Sequence, residues 1–205
     1  MSAPSTVDGS RSGSVERIAR IASAVRARTP LYAERDEPYW EAAVAMILRD
    51  APGGPEVLFV QRAVHADDPW SGQIGLPGGR RDDGEMDLLQ TVLRETLEET
   101  GLDLRTHGEV FGPLDELRPR TPVLPPVIVR PFVARLDAAP AIQLSEELAG
   151  HFWAPLDALF DPANTRPSRV IGRGVTMWRE AIHYDGRVIW GLTERIVRML
   201  HAIDR

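Results

Sequence analysis

Apolar residues return every three or four positions at Ile18, Ile21, Ala22 and Val25, with arginines on the other faces, and this spacing predicts a helix over 14–26. Ser14 is placed to cap it and Pro30 to stop it, while residues 1–13, rich in Ser, Gly and Pro, read as a tail. Two short apolar runs, 42–48 and 57–60, flank a turn-dense stretch and predict a hairpin-like strand pair. A strand end over 72–76 breaks at Pro77-Gly78-Gly79. A helix follows over 87–100, with Leu89, Leu93 and Leu97 as its buried stripe and Gly101 in the position of a C′ glycine. Segments 109–114 and 127–136 read as strands, and the four prolines between 118 and 126 mark an exposed loop. A short strand over 152–156, a hairpin around Asp185-Gly186 and a closing helix over 193–203, with Ile196, Val197, Leu200 and Ile203 in register, complete the pattern. The order is mixed, without a regular βαβ series or internal repeat. It predicts one α/β domain in which a mixed β-sheet is packed between helices.

Composition narrows the chemistry. With 205 residues, 43% apolar and 26% charged, the chain has enough material for one real core. A net charge of −6 gives no footprint for non-specific nucleic-acid binding, although a small phosphorylated ligand stays compatible with it. The absence of cysteine excludes disulfides, thiolate nucleophiles and zinc–thiolate sites. No apolar run approaches the ~20 residues that cross a bilayer, and the first residues lack a signal core, so a cytoplasmic protein without membrane contact is expected.

The 87–100 helix carries the most specific signal. Glu95, Glu98 and Glu99 stand at i, i+3 and i+4, which puts three carboxylates on one face, roughly opposite the leucine stripe. Like charges at this spacing cost ~0.2–0.5 kcal/mol per pair, and they crowd the negative end of the helix dipole. A cation is expected to offset that cost. Oxygen donors on a helix without Cys or His suit a hard ion such as magnesium better than zinc. Gly78 and Gly79 would let the backbone approach an ion or a phosphate. The bland alternative is a solvated acidic face with Arg94 as its counterion.

Taken with the glycine turn and the Arg94-Glu95 pair, the stretch resembles the signature of the Nudix hydrolase family. Gly79, Glu85, Arg94, Glu95, Glu98, Glu99, Gly101 and Leu102 fill its fixed places. Fourteen residues separate Gly79 from Arg94, one more than the general pattern, so counting forward puts the first acid at Glu85 and counting back puts it at Met86. The resemblance implies a Nudix-type α/β/α sandwich over 38–205, with 1–37 as an N-terminal tail and helix. It also implies an enzyme that hydrolyses a diphosphate joined to another group, using Mg2+ or Mn2+. Glu95 and Glu99 would be the firmest metal ligands, Glu98 a ligand or the water-activating base, and the Gly79 carbonyl a further ligand. Arg94 would pair with a neighbouring carboxylate and fix its rotamer. Gly78, Gly79 and Arg62 would lie on the phosphate side, and a homodimer is a family-level expectation.

Within the family, the coenzyme A pyrophosphatase-like branch looks similar. The likeness runs through Gln61-Arg62-Ala63, Gly72, Pro77-Gly78-Gly79, Asp87-Leu88-Leu89, Glu147 ahead of Phe152, and Ile189-Trp190-Gly191-Leu192-Thr193. That branch usually carries an arginine four residues before the equivalent of Gly72, where this chain has Asp68. Coenzyme A or its derivatives are the implied substrates. Other nucleoside diphosphate derivatives (ADP-ribose, dinucleotides, damaged nucleotides) are the alternative, and a non-catalytic nucleotide sensor on the same fold is the reading from another class. Glu146 and Glu147 are either the first acids of a helix or a base reaching the site from a loop. Arg118 and Arg120 keep a loop soluble or clamp phosphate. Trp70 is a core aromatic or stacks on a base. Asp67 and Asp68 read as loop solvation. His65, His107, His151, His183 and His201 show no ligand spacing and read as structural.

Overall fold

Alternate residues of one strand feed two different cores. In β1 (Trp40–Arg49), Ala43, Ala45 and Ile47 face one side of the sheet, and Met46 and Leu48 face the other. The two-residue period of a strand buried on both faces requires this. The computed structural model describes residues 7–64, 71–119, 126–137, 140–172 and 174–205. Along its whole length β1 runs parallel to β6 (Val127–Leu136), from Trp40↔Val127 to Arg49↔Leu136. It meets β2 (Glu56–Arg62) antiparallel only at Leu48↔Val57 and Arg49↔Glu56, then diverges. β4 (Gly78–Arg80) pairs antiparallel with Ala42, Ala43 and Val44. β2 itself pairs with β3 (Ile74–Gly75) and β7 (Leu148–Pro155), while β5 (Gly108–Pro113) closes the other edge on β6.

Helix α2 (Leu88–Thr100) and the short α3 (Leu104–His107) cover one face through Leu88, Val92 and Leu104, with Leu102 between the two helices. Helices α1 (Val7–Ala27), α4 (Leu156–Phe160) and α5 (Gly191–Ile203) cover the other through residues such as Ile21, Val25, Leu156, Ile196 and Leu200. The mixed sheet between helices that the sequence predicts is therefore the observed architecture. Three strands, β8 (Thr165–Gly172), β9 (Val175–Tyr184) and β10 (Arg187–Trp190), form a second antiparallel sheet in the order β10-β9-β8.

Several expectations need correction. Helix α1 starts at Val7, so residues 7–13 are helical, and Ser14 lies buried inside the helix instead of capping it. No proline interrupts 7–27, and Gly9 and Gly13 weaken a helix without breaking it. Strand β8 was not expected: it carries Pro167 and two arginines, and Val170 is its one buried residue. Glu146 and Glu147 sit in a turn before β7, not in a helix. The leucine stripe of α2 is also not the buried face, since Leu89 is 37% and Leu97 42% exposed. No helix among the described residues is long and apolar enough to cross a membrane.

Candidate active site

Helix α2 is fixed at both ends by its own sequence. The Asp87 carboxylate accepts from the Gln90 N–H at 2.9 Å, and the Gln90 side-chain oxygen accepts from the Met86 N–H at 3.0 Å, a reciprocal cap. Gly101, at φ 71°, ends the helix and donates its N–H to the Leu97 carbonyl. Between these ends the helix buries Leu88, Thr91, Val92, Thr96, Glu99 and Thr100. It rests on the small residues Ala43 and Ala45 and on the glycine strand β4, and that close approach leaves Glu95 and Glu99 against the glycine strand while Leu89 and Leu97 stay exposed.

Both glycines are necessary to that approach. A Cβ on Gly78 would lie 2.2 Å from the Ala43 carbonyl oxygen, and the residue stands at φ 147°. A Cβ on Gly79 would lie 2.4 Å from the Glu95 carboxyl carbon. Glu99 is 5% exposed, and its carboxylate accepts the Gly78 N–H at 2.8 Å. Burial pushes the Glu99 carboxyl up to about 7; the Gly78 N–H and the charge of Arg62 oppose this, while Glu95 and Glu147 add to it. Burial also raises Glu95, against the pull of Arg94, with Glu98 and Glu147 raising it further. These directions place Glu147 within the electrostatic reach of both helix acids. The Ala63 N–H holds the Glu147 carbonyl at 2.8 Å, and so ties the turn to the end of β2.

Arg94 is the hub. It donates to Glu85, Glu95 and Glu98, each at 2.9 Å, and to the Arg80 carbonyl at 3.0 Å. Its guanidinium is held firmly protonated, first by Glu85. Glu85 also accepts from the Thr91 hydroxyl at 2.7 Å and the Asp82 N–H at 2.9 Å. Burial alone would raise Glu85, but Arg94, Thr91 and the Asp82 N–H bring it down to about 2. The ambiguous first acid is thus Glu85, engaged on Arg94, whereas Met86 is 81% exposed. Thr91 was missed by sequence reasoning; its signal was its place one turn before Arg94 on the same helix face.

The expected donors do not all converge. Glu95 and Glu99 meet the glycine strand, but the Glu98 side chain is 57% exposed and extends along the helix to Arg94. Among the described residues, no group of three acidic or histidine side chains is gathered closely enough to hold a metal ion. The donor chemistry nonetheless fits a hard divalent ion. Glu95 and Glu99 are oxygen donors pressed against backbone, Glu99 burdened by the charges of Glu95 and Glu147 and Glu95 by those of Glu98 and Glu147, and the exposed Glu98 can leave Arg94 at little cost.

Other candidates fall elsewhere. Arg118 is bound by Asp36, Glu37 and the Glu34 carbonyl. His183 meets the Ser168 hydroxyl at 2.6 Å, and His201 stacks on Phe160. His65, Asp67, Asp68, Trp70 and Arg120 lie outside the described residues.

The NUDIX domain family matches residues 40–173, which take in β1, the glycine strand and all of α2. The chain belongs to the Nudix family. A Nudix hydrolase of Yersinia pestis, NudL, is 30% identical over 147 residues, covering 71% of each chain. A protein of Schizosaccharomyces pombe is 39% identical over 117 residues, which are 55% of this chain but 36% of the yeast protein. In structure, the MutT/nudix family protein of Enterococcus faecalis is similar in fold, with a TM-score of 0.53 at 16% identity, over 98% of this chain and 75% of the other. At the level of enzyme class this is a Nudix hydrolase, as its family and its Yersinia relative support.

Proposed function

We propose that this Nudix hydrolase cleaves the diphosphate bond of a nucleotide-type substrate, coenzyme A or a derivative first, to two phosphorylated products, with Mg2+ or Mn2+ as cofactor. One observation carries the reading: the Glu95 and Glu99 carboxylates both lie against the Gly78-Gly79 backbone, which brings two acidic side chains and a glycine main chain to one place. Glu95, Glu99 and the Gly79 carbonyl would hold the ion, joined by Glu98. A divalent ion there supplies charge neutralisation for the diphosphate and a more acidic water. Arg94 keeps Glu95 oriented, and Glu85 keeps Arg94 oriented. The base would be Glu98 or Glu147, the two remaining carboxylates whose charge bears on Glu95. Arg62, whose charge already reaches Glu99, would take a phosphate oxygen.

The coenzyme A reading is supported by the residues shared with that branch, from Gln61-Arg62-Ala63 to the start of α5. Asp68, where the branch carries arginine, favours the second reading of ADP-ribose, dinucleotides or damaged nucleotides. The test is a panel of coenzyme A, ADP-ribose, dinucleoside polyphosphates, NADH and nucleoside triphosphates with Mg2+ or Mn2+, products identified by mass. Cleavage of coenzyme A at the diphosphate is expected. Cleavage of another member alone would replace the substrate assignment, and no cleavage of any would overturn the hydrolase reading.

A further inference from the structure

A cavity of about 350 Å3 opens between the β2–β3 pair and the second sheet, its lining including Gln61, Gln73, Arg169, Val170, Arg187 and Trp190. Among the described residues, two guanidiniums line it and no carboxylate does, in a chain whose net charge is −6. Arg169 is exposed, and no hydrogen bond or ion pair among the described residues engages it. Arg187 is held in place by Asp185 and lies 4.4 Å over the Phe152 ring, so its fork is already oriented. Trp190 forms an aromatic wall: a Cβ on Gly172 would lie 3.0 Å from the indole, so the glycine gives the ring room against β8.

The cavity adjoins the candidate active site through backbone. Gln61 pairs with Ile74, and the Arg62 N–H donates to the Gln73 carbonyl at 3.1 Å. Arg62 then reaches electrostatically to Glu99. Ile74 stands four residues before Gly78, a span of roughly 13 Å at most along an extended chain. A nucleotide whose diphosphate lies on the glycine strand has the length to enter the cavity with its far side.

We propose that this cavity is a subsite for a second phosphate, a monoester carried on the nucleotide half of the substrate away from the bond that is cleaved, with Arg169 and Arg187 as its partners. The inference rests on the nucleotide-diphosphate reading above and deepens it. Guanidinium forks match phosphate oxygens in pairs, so a ligand bearing the monoester gains charge-assisted bonds that its dephosphorylated counterpart lacks.

Calorimetric titration of the full chain without divalent ion separates the two readings, using adenosine 3′,5′-bisphosphate and AMP as probes. The bisphosphate is expected to bind about tenfold more tightly than AMP. In Arg169→Ala that ratio should fall toward one, and Arg169→Lys should recover part of it. Equal binding of the two probes to the unaltered protein, or an unchanged ratio in Arg169→Ala, would overturn the subsite. Arg187→Ala should lower the ratio too. If it unfolds instead, as circular dichroism would reveal, the exposed Arg169 decides. No metal or turnover enters the measurement. A responsive ratio beside a silent substrate panel would sink the hydrolase reading alone, and active turnover beside an unresponsive ratio would sink the subsite alone.

Discussion

Glu99 combines properties that rarely coincide in a purely structural side chain. It is buried, it feels the charge of two other carboxylates, Glu95 and Glu147, and it accepts the backbone N–H of Gly78 at 2.8 Å. In Glu99→Gln the amide oxygen can still accept from Gly78, while the buried charge is gone. Stability should therefore hold or rise slightly, and divalent-ion-dependent turnover should fall by about 100-fold or more. Melting curves and initial rates on the same preparation check both halves; a variant that keeps near-full activity would remove Glu99 from the site. Gly79→Ala makes the complementary test, because its methyl would collide with the Glu95 carboxylate 2.4 Å away. Turnover should drop about tenfold or more as Glu95 is displaced, with the fold retained by circular dichroism. Spacing in the sequence was enough to put the three helix acids together. It could not reveal that Glu99 is buried and Glu98 exposed, since that depends on which side of α2 meets the sheet.

At the level of the element, the misplaced leucine stripe has a clear cause. Periodicity reports which helix face is most apolar, and packing decides which face is buried. Ala43, Ala45 and the glycines of β4 leave little room over the sheet, so Val92, Thr96 and Glu99 fit there while Leu89 and Leu97 remain at the rim. The long strands β1 and β6 were legible because burial on both faces gives continuous apolar runs. Strand β8 was not, because it is an edge strand paired only with β9 among the described strands, with Val170 as its one buried residue. The loop before α2 offers a pH test. Glu85, normally near 4.5, is held at about 2 in the folded chain. A depressed carboxyl pKa stabilises the fold fully above the unfolded value and is lost as acid protonates the folded group. Wild type should thus exceed Glu85→Gln in stability at pH 7 by about 1 kcal/mol or more, and the gap should close between roughly pH 4.5 and 2. Urea midpoints measured across that range check it; a gap that widens in acid would show that Arg94 is held by other means.

The whole molecule is tied together by contacts between residues far apart in sequence, which no local pattern announces. The Glu116 side chain is fully buried and accepts from Arg35 at 3.0 Å, the Ala33 N–H at 2.9 Å and Arg130 Nε at 3.0 Å, joining the segment before β1 to β6. Helix α1 is bound in the same way at longer range. Arg17 pairs with Asp157 and Asp204, and Ile18, Ile21, Ala22 and Val25 enter the core shared with β1, β2 and α5. The weak apolar stripe that predicted this helix is buried nearly completely, so its contribution exceeds what its amphipathicity implied. Ile21, with no exposed surface, is the sharpest probe. Ile21→Ala should cost about 2–4 kcal/mol, the transfer of the lost methyl groups plus the cavity they leave. The unfolding transition should stay single, because the helix and the sheet share one core. Were α1 an appendage to an independently stable unit beginning near residue 38, the same change would melt the helix alone, leave the main transition in place and split the denaturation curve between far-ultraviolet circular dichroism and tryptophan fluorescence.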